Sequence, residues 1–187
     1  AGAIGAIVRD RLLLNLAHAI DHLFLLIFAA AVAAIARDFG LARWEGLMPY
    51  GAGAFLLFGL GSLPAGELGD QWGRRPMMLV FFFGMGASAL LIAAADGPWA
   101  LAAALTLMGA FASIYHPVGI PMLVQRSARP GAAIGVNGLA GNLGIAAAAV
   151  VGPDVAGPQV DTLAQNVGSP DGAGPARGST VAASPAP

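Results

Sequence analysis

Long apolar runs, separated by short clusters of charge, dominate the first 151 residues of the chain. Five stand out: Leu12–Ala36, Leu47–Gly66, Pro76–Ala95, Trp99–Val124 and Gly131–Val151. A helix rises about 1.5 Å per residue, so roughly 20 apolar residues cross a hydrocarbon core of about 30 Å. Each run approaches that length, and the pattern predicts five membrane-spanning helices. The breaks hold most of the charge: Arg37, Asp38, Arg43 and Glu45; then Glu67, Asp70, Arg74 and Arg75; then Asp96 with Gly97-Pro98; then Arg126 and Arg129. The expected fold is an all-α integral membrane bundle over residues 12–151, preceded by a cytoplasmic segment, residues 1–11.

Composition agrees. The 187 residues are 57% hydrophobic and only 10% charged, against about 25% charged in ordinary soluble domains. All nine cations are arginine and the net charge is −1, which excludes a basic nucleic-acid-binding module. Without cysteine there is no disulfide, thiol or Cys-based zinc chemistry. The first run is too long for the core of a signal peptide. Positively charged loops stay in the cytoplasm. A cytoplasmic N-terminus puts Arg9, Arg11, Arg74, Arg75, Arg126 and Arg129 inside and, among the loop arginines, leaves Arg37 and Arg43 outside. The expected setting is a multi-pass protein of a bacterial inner membrane.

From Gly152 the composition changes to Gly, Pro, Ala and Ser, with one leucine and no aromatic residue. Residues 152–187 are expected to be disordered. A natural tail and the product of a shifted reading frame both fit that change. Within the runs small residues recur, notably Gly135, Gly138, Gly141 and Gly144; these let helix backbones approach closely in lipid.

The break Gly66-Glu67-Leu68-Gly69-Asp70-Gln71-Trp72-Gly73-Arg74-Arg75-Pro76 is distinctive. Glycine permits a tight turn, an acidic group suits a helix N-terminus, and paired arginines can fork onto carboxylates or helix-end carbonyls. These parts would make a latch between helix ends. The stretch resembles the signature loop of the major facilitator superfamily at Gly66, Leu68, Asp70, Gly73, Arg74 and Arg75, with Gln71 where a basic residue is usual. His116-Pro117, Gly141-Asn142-Leu143-Gly144 and Gly152-Pro153 resemble the fosmidomycin-resistance-like branch of efflux carriers. The resemblance runs over roughly residues 10 to 153. It implies twelve helices in two six-helix halves, so a sixth helix and a second half would be missing here. Leu105 stands where many relatives carry an arginine.

All three histidines lie inside predicted spans. Asn15, His18 and His22 are three and four residues apart and share one helix face. Asp21 sits beside them, near mid-membrane, where ionisable residues usually face a bundle interior or a wet cavity. His116, on the fourth run, is about as deep as His18, roughly 10 Å by helical rise. Pro117 and Pro121 follow and would bend that helix. The resemblance implies that helices 1 and 4 both line a central cavity. The expected substrate or proton pathway is therefore His18, Asp21, His22 and His116, with Asn15 and Asn142.

His18-x-x-Asp21-His22 has superficially the spacing of a zinc hydrolase, yet the acid is Asp and the helix crosses lipid, so no metal and no cofactor is expected. No nucleotide fingerprint is present, and nothing reads as an enzyme. The expected activity is alternating-access transport of a small organic solute, coupled to protons, by a carrier of which this chain is an N-terminal part, inactive alone. Its partners would be the bilayer, the solute, protons and the missing half, with no nucleic acid. A small non-transporting bundle that pairs with another membrane chain is the alternative.

Overall fold

The computed structural model describes residues 2–125 and 127–155. Arg126 and residues 156–187, which include nearly all of the expected disordered tail, lie outside the described residues. Seven α-helices make up the described fold: α1 (Gly2–Asp38), α2 (Ala52–Leu60), α3 (Ser62–Trp72), α4 (Arg74–Ala93), α5 (Pro98–Ala112), α6 (Tyr115–Gln125) and α7 (Pro130–Val155). Two short 3-10 turns, Trp44–Gly46 and Met48–Gly51, lead into α2. Among the described residues four stretches are long and apolar enough to cross a membrane: Val8–Asp38, Arg74–Ala93, Pro98–Gln125 and Pro130–Gly152. The pair formed by Trp44–Leu60 and Ser62–Trp72 passes the same test together, bent by 46°.

Proline explains where the second and fourth runs break. Pro64 has no N–H to offer the Leu60 carbonyl and its ring crowds that oxygen, and α2 ends at Leu60. Pro117 stands in the same relation to Ser113, and α5 ends one residue earlier, at Ala112. The two breaks touch: a Cβ placed on Gly61 would lie 2.5 Å from Ser113 Oγ and 3.0 Å from its Cβ. The fourth run is thus interrupted at Ser113 and Ile114, near its middle, rather than only at the end expected from Pro117 and Pro121, and still forms one span, Pro98–Gln125.

The boundaries differ from the apolar runs in an instructive way. α1 starts at Gly2, so the expected N-terminal segment is helical, and α7 continues to Val155 past Gly152-Pro153. Hydropathy marks the lipid slab, whereas the backbone continues to hydrogen-bond itself beyond that slab. The expected loop Gly66–Pro76 is mostly helix as well: Gly66, Leu68, Gly69 and Asp70 all belong to α3. Only Gly73 breaks the helix, at φ +93°, a conformation that an L side chain strains to adopt. Arg74 and Arg75 then open α4. Arg74 pairs with Asp70 at 3.5 Å across this one-residue joint, and Arg75 reaches Asp10 on α1, also at 3.5 Å.

Glycine sets the spacing between spans. Gly53 faces Thr106, Gly61 faces Ser113 and Gly69 faces Val118, so α2–α3 run parallel to α5–α6. Gly109 lies directly against the Ala54 backbone, and Gly84 against the Phe111 ring. On the other side Gly141 meets His18 and His22, Gly144 the Ala19 backbone and Gly152 Ala30, so α7 runs parallel to α1. Tyr115, Phe81, Met85, Met108 and Val118 fill the core between them. Leu63, Phe83, Leu90 and Trp99 are each more than 70% exposed, an outward face suited to lipid rather than water.

Gly109 and Gly86 make a matched test of this packing. Gly109→Val is expected to lower stability by about 1–3 kcal/mol through overpacking against Ala54. Gly86→Ala, which enters open space, should leave stability unchanged or raise it slightly. Denaturation midpoints in detergent check both.

Candidate functional site

The site is assembled from α1, α6 and α7 at mid-span. On α1 the stripe Asn15, His18 and His22 faces inward, with Asp21 fully buried beside it. α6 begins at Tyr115 and His116, directly after the break that Pro117 imposes on the fourth run. The break therefore delivers two polar side chains at mid-span. α7 contributes Asn137 and, one turn on, Gly141.

Hydrogen bonds fix these parts to one another. Tyr115 OH donates to the Leu14 carbonyl at 2.9 Å and accepts from Asn137 Nδ2 at 2.7 Å. Asn137 Nδ2 also donates to Asn15 Oδ1 at 3.0 Å. The backbone carbonyl of Asn137 lies 2.7 Å from His18 Nδ1. A carbonyl only accepts, so Nδ1 carries a proton, and a neutral His18 presents its lone pair at Nε2. His22 Nε2 lies 3.0 Å from that nitrogen and donates to it. The Tyr115 ring stacks on His18, with centroids 4.9 Å apart and planes 15° from parallel.

His116 completes the group. Its ring stands edge-on to His18 at 5.1 Å and to His22 at 5.8 Å, with Phe58 on its flank at 5.6 Å. Its Nδ1 is 3.8 Å from Asp21 Oδ2. Among the described residues no donor reaches either Asp21 oxygen within hydrogen-bond distance. One nitrogen from each of His18, His22 and His116 lies within 4.8 Å of the others. His18 is buried, whereas the His116 side chain is 35% exposed, so the cluster is open on one side.

Gly141 makes room for it. A Cβ there would lie 2.7 Å from His18 Cε1 and 2.9 Å from His22 Cδ2, so both rings rest on bare backbone. Asn142, the next residue, is exposed and turned about 100° away around α7. Of the residues expected at the site, the structure brings together Asn15, His18, Asp21, His22 and His116, while Asn142 stands apart.

Tyr115 and Asn137 are the members that sequence reasoning passed over. The available signal was positional: Asn137 lies four residues before Gly141, on the same small-residue stripe of α7. Gly66, Asp70, Gly73, Arg74 and Arg75 form the separate joint at the end of α3. Leu105 is buried with Phe28, Leu47 and Leu101. It lies on the wall of an apolar cavity of about 420 Å³, bounded also by Phe24, Ile92 and Met108.

An apolar helical bundle with a glycine-hinged Asp–Arg joint and an ionisable cluster at mid-span defines a multi-pass membrane protein. The model of the Major Facilitator Superfamily matches residues 14–159, and the chain belongs to that family of membrane transporters. It is 37% identical over 111 residues to a protein described as a probable actinorhodin transporter of Streptomyces coelicolor. The aligned stretch is 58% of this chain and 18% of that relative. No solved structure matches the chain.

The Tyr115–Asn137 link has a measurable consequence. Asn137→Leu leaves Asn15 Oδ1 and the Tyr115 hydroxyl without their donor and is expected to cost about 1–3 kcal/mol. Tyr115→Phe should cost a similar amount. Because the two share one hydrogen bond, the double variant should lose less than the two single losses together. Unfolding of the three variants in detergent measures that coupling; strict additivity would refute the shared bond.

Proposed function

We propose that the chain supplies the N-terminal wall of a proton-coupled secondary carrier that exports a small organic solute by alternating access. The observation that carries this reading is Asp21: a fully buried carboxylate at mid-span, with no hydrogen-bond donor among the described residues and His116 3.8 Å away. A buried carboxylate needs a proton or a nearby cation to offset its charge. Proton arrival and departure at Asp21, His116 and the His18–His22 pair meets that need in two ways, and a carrier requires two states. Protonation of His18 at Nε2 reverses the His18–His22 bond, so that His22 Nε2 accepts and its Nδ1 holds the hydrogen. The exposed edge of His116 gives this relay an outlet.

In this reading the opening faces the other half of the carrier, and rocking of the halves alternately closes each side. The touching breaks at Gly61 and Ser113 give both interrupted spans a place to flex. The Asp70–Arg74 and Arg75–Asp10 pairs latch the cytoplasmic side. The parallel course of α1 and α7 supports five crossings, with α2–α3 as one bent span in an up-and-down bundle. The short share of the relative that the chain matches, and the family's two-half architecture, favour an incomplete wall that does not transport alone. The relative's printed description, the fosmidomycin-resistance-like residues and the apolar cavity beside Leu105 favour an organic solute as cargo.

The test uses proteoliposomes containing this chain with the complementary half of the carrier. Asp21→Asn is expected to abolish transport driven by a pH gradient while solute exchange at equal pH persists. Undiminished gradient-driven transport by Asp21→Asn, or transport by the 187-residue chain alone, would contradict the proposal.

A further inference from the structure

The three histidines meet a second chemical description, independent of whether they carry protons. We infer that His18, His22 and His116 form a binding site for one divalent transition-metal ion, held between α1 and α6. The donor set comes first. Three imidazoles with no thiolate suit Zn²⁺, Co²⁺, Ni²⁺ or Cu²⁺, whereas Mg²⁺ and Ca²⁺ take oxygen ligands.

Geometry comes second. Zn–N bonds are about 2.0–2.1 Å, which places tetrahedral nitrogen ligands roughly 3.3 Å apart. His18 Nε2 and His22 Nε2 are 3.0 Å apart, already at chelating separation. A nitrogen of His116 lies within 4.8 Å of one nitrogen on each of the other two rings, so closure takes a shift of roughly 1–2 Å. His116, the partly exposed member, is the one free to make it.

The surroundings point the same way. Metal-bound imidazoles usually donate their second N–H to a carbonyl or carboxylate, which fixes the tautomer and the ring. His18 has this arrangement: Nδ1–H is held by the Asn137 carbonyl, and Nε2 faces the cluster. Asp21 occupies the equivalent position behind His116, with its Oδ2 3.8 Å from Nδ1, and rotation of the ring that brings Nε2 to the ion would draw the two into a hydrogen bond. Its charge would offset part of the ion's in a site otherwise built of neutral rings. Gly141 closes the α7 side of the two α1 rings. The ion must therefore enter past His116, where a fourth position stays open to water. Bound there, the ion would tie span one to span four and keep all three rings from taking a second proton.

The chain contains three histidines in all and no cysteine, which makes the experiment selective. The chain, carrying a tag without histidine, is placed in lipid nanodiscs and titrated with Co²⁺ near neutral pH, reading the visible d–d bands. One Co²⁺ per chain is expected, displaced by Zn²⁺ and not by Mg²⁺ or Ca²⁺. Lowering the pH by about two units should weaken binding, since imidazoles must be unprotonated to ligate. His116→Gln should reduce affinity at least tenfold, and His22→Gln should remove the bands. A second measurement needs no variant: Zn²⁺ should protect the histidines from diethylpyrocarbonate, read by mass spectrometry. Absence of Co²⁺ bands, bands that survive His22→Gln, or full modification in saturating Zn²⁺ would each overturn the site. None of these outcomes depends on transport, so the proton-carrier reading stands or falls separately.

Discussion

The structure depends on the way Asn137 satisfies polar groups that have no water to turn to. In hydrocarbon, every buried donor or acceptor must find a protein partner. The Asn137 amide bridges Asn15 and Tyr115, its carbonyl holds His18, and the Tyr115 hydroxyl passes the link on to Leu14. Three spans distant in sequence are thereby joined at one point. Interhelical hydrogen bonds of this kind contribute about 1 kcal/mol each in membranes. Their larger effect is on specificity, because sliding α7 along α1 by one turn would break all three that Asn137 makes.

Close backbone approach makes that network reachable. Gly141 and Gly144 allow α7 to lie on α1, and Gly53, Gly61, Gly69 and Gly109 do the same between α2–α3 and α5–α6. On this tight frame Pro64 and Pro117 produce breaks that meet at Gly61 and Ser113. Rigidity and flexibility thus sit next to each other. The α1–α7 face is locked by glycine and hydrogen bonds, while the two interrupted spans share a contact at which each helix is already broken. His116 lies just past that contact, so a change in the bend would move its ring relative to Asp21 and His18.

Much of this was legible in the sequence, for reasons of scale. Apolar length reveals where a helix crosses lipid, and periodicity places Asn15, His18 and His22 on one face. His116 could be matched to them by depth alone, because helical rise is constant. Other features depend on partners that a sequence does not display. Asn137 and Asn142 are five residues apart and both polar, yet only the stripe that includes Gly141 faces α1. The Gly66–Pro76 stretch looks like a loop by composition, but a helix needs only one residue at positive φ to end, and Gly73 provides it. Tyr115 was hidden beside the more conspicuous His116-Pro117 pair, although the stacking of its ring on His18 orients the whole cluster.

The central claim is that the Asn137 carbonyl sets the tautomer and position of His18, and through it the geometry of the ionisable cluster. Solid-state NMR on the chain in lipid bilayers, with ¹⁵N-labelled histidine and ¹³C-labelled asparagine carbonyl, tests this directly. At neutral pH a protonated Nδ1 on His18, dipolar-coupled to the Asn137 carbonyl carbon, is the expected result. An unprotonated Nδ1, or no coupling between the two residues, would contradict the account.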